Sequence, residues 1–384
     1  MNSKLKITIY AICKNEEQFV DQWFTSMMEA DYICVLDTGS TDGTYNKLLQ
    51  WRDKFPEKII ISQKKYNPWR FDTPRNDSMK LAPEDTDIYW CTDLDEILEP
   101  GWSQDLRDNW QEDLTRGLYL YAWSHNEAGA PLRVFWYDKI HTKNYVWKYP
   151  VHETLFYVGQ EKENSKQISS RVLLHHYPDF SKSRSNYLSL LELRVQESPE
   201  DFYGKVYLAH EYLIQKQPEK CIEYINHIVL PAAQSSPDLL FIPDLHAFLG
   251  DAYYMIGRKD LAERNYRMGI ASFPGYRENY LSLGYLLMEQ NRVLEARDLI
   301  NEMFNKTNRF YSWLERDASW SYLPYDLAAW IYLSLGQAHL AVDYAFLAYT
   351  LNPTEEFKNK YEGIKKELQS VQCELIPLSN LEAQ

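Results

Sequence analysis

Two aspartates one residue apart, Asp93 and Asp95, stand in the segment Thr92-Asp93-Leu94-Asp95-Glu96, directly after the apolar run Ile88-Tyr89-Trp90-Cys91. Carboxylates this close repel one another unless a cation sits between them. Hard oxygen ligands suit Mg²⁺ or Mn²⁺, ions that usually share their shell with a substrate's phosphates. A diphosphate-linked substrate gains most from such an ion, because its leaving group departs with concentrated negative charge. Two more polar clusters follow apolar runs in the same way: Cys13-Lys14-Asn15-Glu16-Glu17, and Asp37-Thr38-Gly39-Ser40-Thr41-Asp42-Gly43-Thr44. Within the latter, Ser40 to Gly43 also read as the cap of a following helix, and for Asp42 capping is the simpler role.

The elements that position these clusters are short buried strands alternating with helices. Ile7–Ile12, Tyr32–Leu36, Lys58–Ser62 and Ile88–Cys91 are four to six residues long and rich in β-branched or aromatic side chains, as fully buried strands are. Glu16–Ala30 carries Phe19, Val20, Trp23, Phe24 and Met27 at helical spacing, and Tyr45–Phe55 carries Leu48, Leu49 and Trp51. Strand, helix, strand, helix, strand is the grammar of a mostly parallel, Rossmann-like α/β sheet. In such a sheet ligands bind at the carboxyl ends of the strands, where all three polar clusters fall. Residues 117–175 read instead as strands with long loops: Leu118–Trp123, Arg133–Tyr137, His152–Val158 and Arg171–His175.

From about Tyr187 the pattern becomes helical, and an internal repeat appears. Leu249-Gly250, Tyr253, Ala262, Tyr266 and Pro274 recur thirty-four residues on as Leu283-Gly284, Leu287, Ala296 and Ile300. A third copy is Ala328-Ala329, Tyr332, Ala341, Ala345, Ala348 and Pro353; an earlier, degenerate one is Leu208-Ala209, Tyr212, Cys221 and Ile225. This resembles the tetratricopeptide repeat (TPR) over residues 200–355, with an insertion around Phe304–Leu323 that holds Trp313 and Trp320. The chain thus divides into an α/β domain over residues 1–180 and an all-α helical-repeat domain over 187–384. Stacked helix pairs make a concave surface suited to recruiting an acceptor, a partner or a second copy of the chain.

At 384 residues the chain is long enough for two domains with their own cores. A formal net charge of -14 argues against a polyanionic partner such as duplex DNA. The five cysteines are scattered with no CxxC pair, which reads as buried free thiols in a reducing compartment. No apolar stretch reaches membrane length, and a cytoplasmic protein is expected.

Residues 5 to about 178 resemble a family 2 glycosyltransferase of the GT-A fold, on three segments in order: Ile12-Cys13-Lys14-Asn15-Glu16-Glu17, Leu36 to Thr44, and Thr92 to Glu96. The resemblance implies inverting transfer of a sugar from a nucleoside diphosphate donor, with UDP the expected nucleotide, to a hydroxyl or thiol acceptor on a glycan, peptide or protein. It places Ala11, Lys14, Glu16, Asp37, Arg75 and Asp93 at the nucleotide sugar, Asp37 on the base, and Asp93, Asp95 and His176 around Mn²⁺ or Mg²⁺. Phe71-Asp72-Thr73-Pro74-Arg75-Asn76 is similar to the family's Arg-Asn segment, with Asp72 a candidate to orient Arg75. Trp147 to Glu153 is similar to a Trp…Val-His-Glu motif of members that carry such repeats. An inverting transferase needs a carboxylate to take the acceptor proton; Glu153 is the first candidate, Asp138 and Glu96 the alternatives. Two positions depart from the family pattern: Thr38 stands where many relatives have a second acid, and Pro178 where a glycine is common. A repeat-based scaffold with a degenerate transferase half and a nucleotidyltransferase are the competing readings. The second usually needs a glycine-rich loop after the first strand, and Ala11–Glu17 contains no glycine.

Overall fold

The computed structural model describes residues 5–125, 129–179, 187–233, 241–309, 314 and 316–374. The chain forms two compact units, Met1–Glu197 and Ser198–Gln384.

The first unit is built on one large sheet. Its strands are β1 (Ile7–Cys13), β2 (Tyr32–Asp37), β3 (Ile59–Gln63), β4 (Ile88–Cys91), β5 (Glu96–Leu98), β6 (Arg116–His125), β7 (Pro131–His141), β10 (Ser165–Gln167) and β11 (Leu173–His176); β8 (Tyr145–Lys148) and β9 (Thr154–Tyr157) make a separate hairpin. The order is β3-β2-β1-β4-β7-β6-β11-β5, with β10 beside β6. The first four strands run parallel. β7 is antiparallel to both β4 and β6, and β11 is parallel to β6. β6 and β11 therefore run in the direction of β4, and their carboxyl ends share its rim.

Every residue of β1 is buried, because one face packs on a helix and the other, through Tyr10, on Tyr145, Trp147 and Leu155 of the β8–β9 hairpin. The helix α1 (Val20–Met27) turns Val20, Trp23, Phe24 and Met27 inward, an i, i+3, i+4, i+7 stripe. They pack with Trp90, Trp102 and Tyr119 in the main core. Also in this unit are α2 (Thr44–Lys54), α3 (Asp72–Met79), α4 (Trp102–Asn109) and α5 (Tyr187–Glu197). The sequence pattern assigns α5 to the helical half. Its Arg194 is instead buried against the loop after β8, which ties α5 to the first unit.

The second unit repeats one hairpin four times. The pairs are α6 (Phe202–Ile214) with α7 (Pro218–Tyr224), the latter continued by α8 (Leu230–Ala233); α9 (Ile242–Met255) with α10 (Lys259–Ser272); α11 (Glu278–Glu289) with α12 (Val293–Lys306); and α13 (Leu323–Ser334) with α14 (Ala338–Leu351). A last helix, α15, spans Glu355–Glu374. Each hairpin turns on one left-handed residue: Lys216, Gly257, Asn291 and Gly336. The next backbone N–H then bonds back to the carbonyl of Tyr212, Tyr253, Leu287 or Tyr332, at 2.8–2.9 Å. That is the Schellman closure of a helix, repeated at the residues that mark the sequence repeat. Small residues lie where helices cross: a Cβ on Gly250 would come within 2.2 Å of the Tyr266 ring. The unit is a TPR-like helical array. Trp320 stacks under Arg277, 3.8 Å from its guanidinium carbon, while Trp313 lies outside the described residues. No helix among the described residues is long and apolar enough to cross a membrane. Cys13, Cys34, Cys91 and Cys221 are buried, and among the described residues none of them forms a disulfide.

Candidate active site

The strand register gathers the polar loops. Cys13 at the end of β1 lies beside Asp37 at the end of β2, and Tyr10 of β1 lies beside Cys91 at the end of β4. Asp37 and the turn after β4 are thus separated by one intervening strand, roughly 10 Å at the usual strand spacing.

The β1 and β2 loops lock together through their backbones. Asn15, held at φ 54°, donates its N–H to Ser40 Oγ (2.9 Å), and its Oδ1 accepts from Thr41 N–H (2.8 Å). Left-handed backbone is a conformation asparagine tolerates better than most side chains. Glu16 N–H donates to Thr44 Oγ1 (2.7 Å), while Glu17 Oε2 accepts from Gly43 N–H (3.0 Å). Asp42 accepts from Thr44 N–H (3.0 Å), closing a turn one residue ahead of Gly43, the N-cap of α2. Asp37 is fully buried. Its Oδ1 accepts from Gly39 N–H, Ser40 N–H and Gln63 Nε2 (3.0, 3.0 and 2.9 Å), and its Oδ2 from the Ser40 hydroxyl. The carboxylate is therefore the anchor that shapes this loop. Lys14 is exposed on the β1 loop and Glu16 half-buried; Ala11 lies inside β1, fully buried in the core.

Beyond β4, Leu94 enters the core while Asp93 and Asp95 stay at the rim. Their surroundings differ. Asp93 is ion-paired with Arg75 (Nη1–Oδ1 2.9 Å) and Lys139 (Nζ–Oδ2 3.2 Å). Burial works against its charge, yet the two cations hold its carboxyl far below the usual range. Asp95 faces His176, Oδ2 to Nε2 3.5 Å. His176 Nδ1 is 3.3 Å from the carbonyl of Trp123, which can only accept, so Nδ1 carries a proton; Nε2 then points a second N–H at Asp95 when the ring is charged and offers a lone pair when it is neutral. Burial lowers the affinity of this histidine for a second proton, but Asp95 outweighs it and the pKa is raised. Glu96 is buried; it accepts from Asp93 N–H (2.8 Å) and the Tyr121 hydroxyl (2.8 Å), and burial raises its pKa.

Arg75 joins the two halves of this arrangement. It projects from α3, is 5% exposed, and its Nε donates to Glu153 while its other nitrogens hold Asp93. Its neighbour Asn76 has a different task. Asn76 Nδ2 donates to the Trp147 carbonyl (2.8 Å) and its Oδ1 accepts from Trp147 N–H (2.9 Å), pinning β8 to α3. Glu153 follows a strained loop in which Tyr149 (φ 82°) and His152 (φ 49°) are both left-handed. Arg194 of α5 clamps that loop. Its guanidinium lies 3.9 Å over the Tyr149 ring, and Nη1 donates to the carbonyls of Val151 (3.1 Å) and His152 (2.8 Å).

Arg75, Asp93 and Glu153 thus form one cluster, and Asp95 with His176 forms another beside it. Asp138 is elsewhere: it pairs with Arg116 at 2.5 Å, on the face of β7 opposite Lys139. Asp72 does not orient Arg75; it makes a two-pronged bond to Arg70 (2.6 and 2.7 Å). Lys139 escaped sequence reasoning, since its only mark is a lysine inside an aromatic strand. Arg194 escaped it because no motif contains it.

Residues 8–152 match the sequence model of glycosyl transferase family 2. The lipopolysaccharide core biosynthesis glycosyltransferase LpsC of Rhizobium meliloti (strain 1021) is 29% identical over 96 residues. That stretch covers 25% of this chain and 33% of the relative, so the chain spans about a third of LpsC. Among solved structures, a thermophilic TPR protein of Thermus thermophilus matches at TM-score 0.36 and 15% identity, over 47% of this chain and 90% of its own. A tetratricopeptide repeat protein of Parabacteroides merdae matches at TM-score 0.36 and 15% identity, over 47% and 64%.

Proposed function

From the premise that residues 8–152 are a glycosyl transferase family 2 domain, we propose that the chain transfers a sugar, with inversion, from a uridine diphosphate donor to a hydroxyl or thiol acceptor. The observation that carries this reading is the single guanidinium of Arg75 gripping both Asp93 and Glu153. It sets a carboxylate beside the paired-acid turn at the carboxyl end of the sheet, where donors bind in open α/β folds.

In this reading the nucleoside lies over the interlocked β1 and β2 loops, and the diphosphate crosses to β4. Glu153 takes the acceptor's proton as the acceptor oxygen or sulfur bonds to the anomeric carbon; the bond from that carbon to the β-phosphate oxygen breaks, and the diphosphate leaves with the electron pair. Arg75 and Lys139 neutralise Asp93, so the rim does not repel the incoming phosphates. Asp95 and His176 suit a divalent cation as two neighbouring ligands, one carboxylate oxygen and one imidazole nitrogen. Among the described residues no three acids, histidines or cysteines gather closely enough to hold an ion alone. The remaining ligands would therefore come from the diphosphate and water. Bound there, Mn²⁺ or Mg²⁺ supplies charge neutralisation at the leaving group. The helical array recruits the acceptor, a peptide or protein for which stacked helix pairs offer a surface.

The test is UDP release from a panel of UDP-sugars with Mn²⁺ or with a chelator. Release that requires the metal and is lost in Glu153→Gln and Asp95→Asn supports the reading. A folded protein that neither binds nor hydrolyses any nucleotide sugar refutes it.

A further inference from the structure

On β6, Tyr119, Tyr121 and Trp123 occupy alternate positions and form a row that begins in the core and ends in the open. Trp90 packs on Tyr119 at 4.7 Å between ring centres; Tyr119 and Tyr121 are 6.4 Å apart, Tyr121 and Trp123 6.1 Å. Tyr119 and Tyr121 are buried, whereas Trp123 is 41% exposed. An exposed tryptophan is ordinary by itself; the place of this one is not. Its ring lies 4.9 Å from that of His176, and its carbonyl holds His176 Nδ1, so it borders the pair that faces the diphosphate in the proposed function. The ring is also fixed from beneath, because Tyr121 is hydrogen-bonded to Glu96 and packed by Phe135 and Tyr137 at 5.6 and 5.0 Å.

We propose that Trp123 is the platform on which the ring of the donor's sugar stacks. This rests on the transferase reading above and adds to it the direction in which the donor lies. β2 carries the loop for the nucleoside, β4 the turn for the diphosphate, and β6, parallel to β4 across β7, carries Trp123 two residues before its carboxyl end. A nucleotide sugar extended along this rim meets Trp123 where the sugar follows the second phosphate. The chemistry fits: one face of a pyranose is a patch of C–H bonds with partial positive charge, complementary to the negative face of an indole. The hydroxyls, around the edge, stay free for polar partners.

The experiment is calorimetric titration of the full chain with UDP and with UDP-glucose, UDP-galactose and UDP-N-acetylglucosamine, in Mn²⁺. Wild type is compared with Trp123→Phe and Trp123→Ala, and melting curves establish that the variants fold. The expected result is roughly a three- to tenfold loss of affinity for the preferred UDP-sugar in Trp123→Ala, the size of one aromatic stacking contact. UDP should bind within about twofold of wild type, and Trp123→Phe should keep most of the sugar's affinity. Equal loss for UDP and UDP-sugar, or no loss for either, overturns the platform while leaving the transferase reading intact. Wild type that binds none of these nucleotides overturns the transferase reading itself.

Discussion

Arg194→Met separates a strained, functional loop from an ordinary surface turn. Arg194 makes two hydrogen bonds to carbonyls from one charged nitrogen, together about 3 kcal/mol. Its stacking on Tyr149 adds about 1 kcal/mol in this buried setting. Against that hold stand two left-handed non-glycine residues, Tyr149 and His152, at about 1–2 kcal/mol each. The clamp and the strain are therefore of similar size. Without the clamp the loop relaxes, and the released strain offsets most of what was lost. Net destabilisation should stay near 1–2 kcal/mol, a fall in melting temperature of about 3–6 °C for a unit of this size. Glu153 follows the loop away from Arg75, and losing a placed general base should slow metal-dependent UDP release about 100-fold. The assay pairs melting curves with UDP release per folded molecule. A fall above about 10 °C with an unchanged rate would refute the argument, since it would mean that the loop keeps its shape and Arg194 is a packing residue only.

Asn76→Ala removes both bonds that pin Trp147 and should cost about 2 kcal/mol, read as a melting shift, with nucleotide affinity changed less than stability. Asp95→Asn and His176→Ala should abolish any Mn²⁺-dependent gain in UDP affinity measured by calorimetry. Asp93→Asn should also lower stability, by about 1–3 kcal/mol in denaturant unfolding, because Lys139 loses its carboxylate partner and Arg75 is left with Glu153 alone. In the helical unit, burial raises the pKa of Asp251, whose Oδ1 accepts from the Tyr266 hydroxyl. A carboxyl raised on folding is stabilising below its unfolded pKa, and that contribution is lost as pH climbs through the folded value. Asp251→Asn keeps the acceptor without the charge, so melting curves followed upward from about pH 4, the ordinary carboxylate range, should show the variant gaining on wild type; curves parallel from there upward would contradict this.

Much of the fold can be read from the chain, because buried strands and repeated helix pairs write their packing as local hydrophobic pattern. β4 is apolar throughout, and the Schellman turns fall at the offsets of the sequence repeat. The helix α3 leaves no such trace. Its inward residues are Asp72, Pro74, Arg75 and Ser78, so its buried face is mostly polar and hydrophobic periodicity passes over it. Arg75 was legible only through resemblance. Lys139 and Arg194 were not legible at all, the first 46 positions from Asp93 and the second on a helix whose pattern pointed to the other unit.

Asp93-Leu94-Asp95 shows where the boundary of legibility runs. Period-two alternation past β4 turns Leu94 inward and leaves both acids at the rim. It does not predict that Asp93 meets two cations, from α3 and β7, while Asp95 meets a histidine from β11. Spacing determines the face on which a side chain emerges. Its partner is determined by which distant element packs there, and that packing gives two adjacent acids different electrostatics: one neutralised by two cations of the protein, the other beside a single histidine.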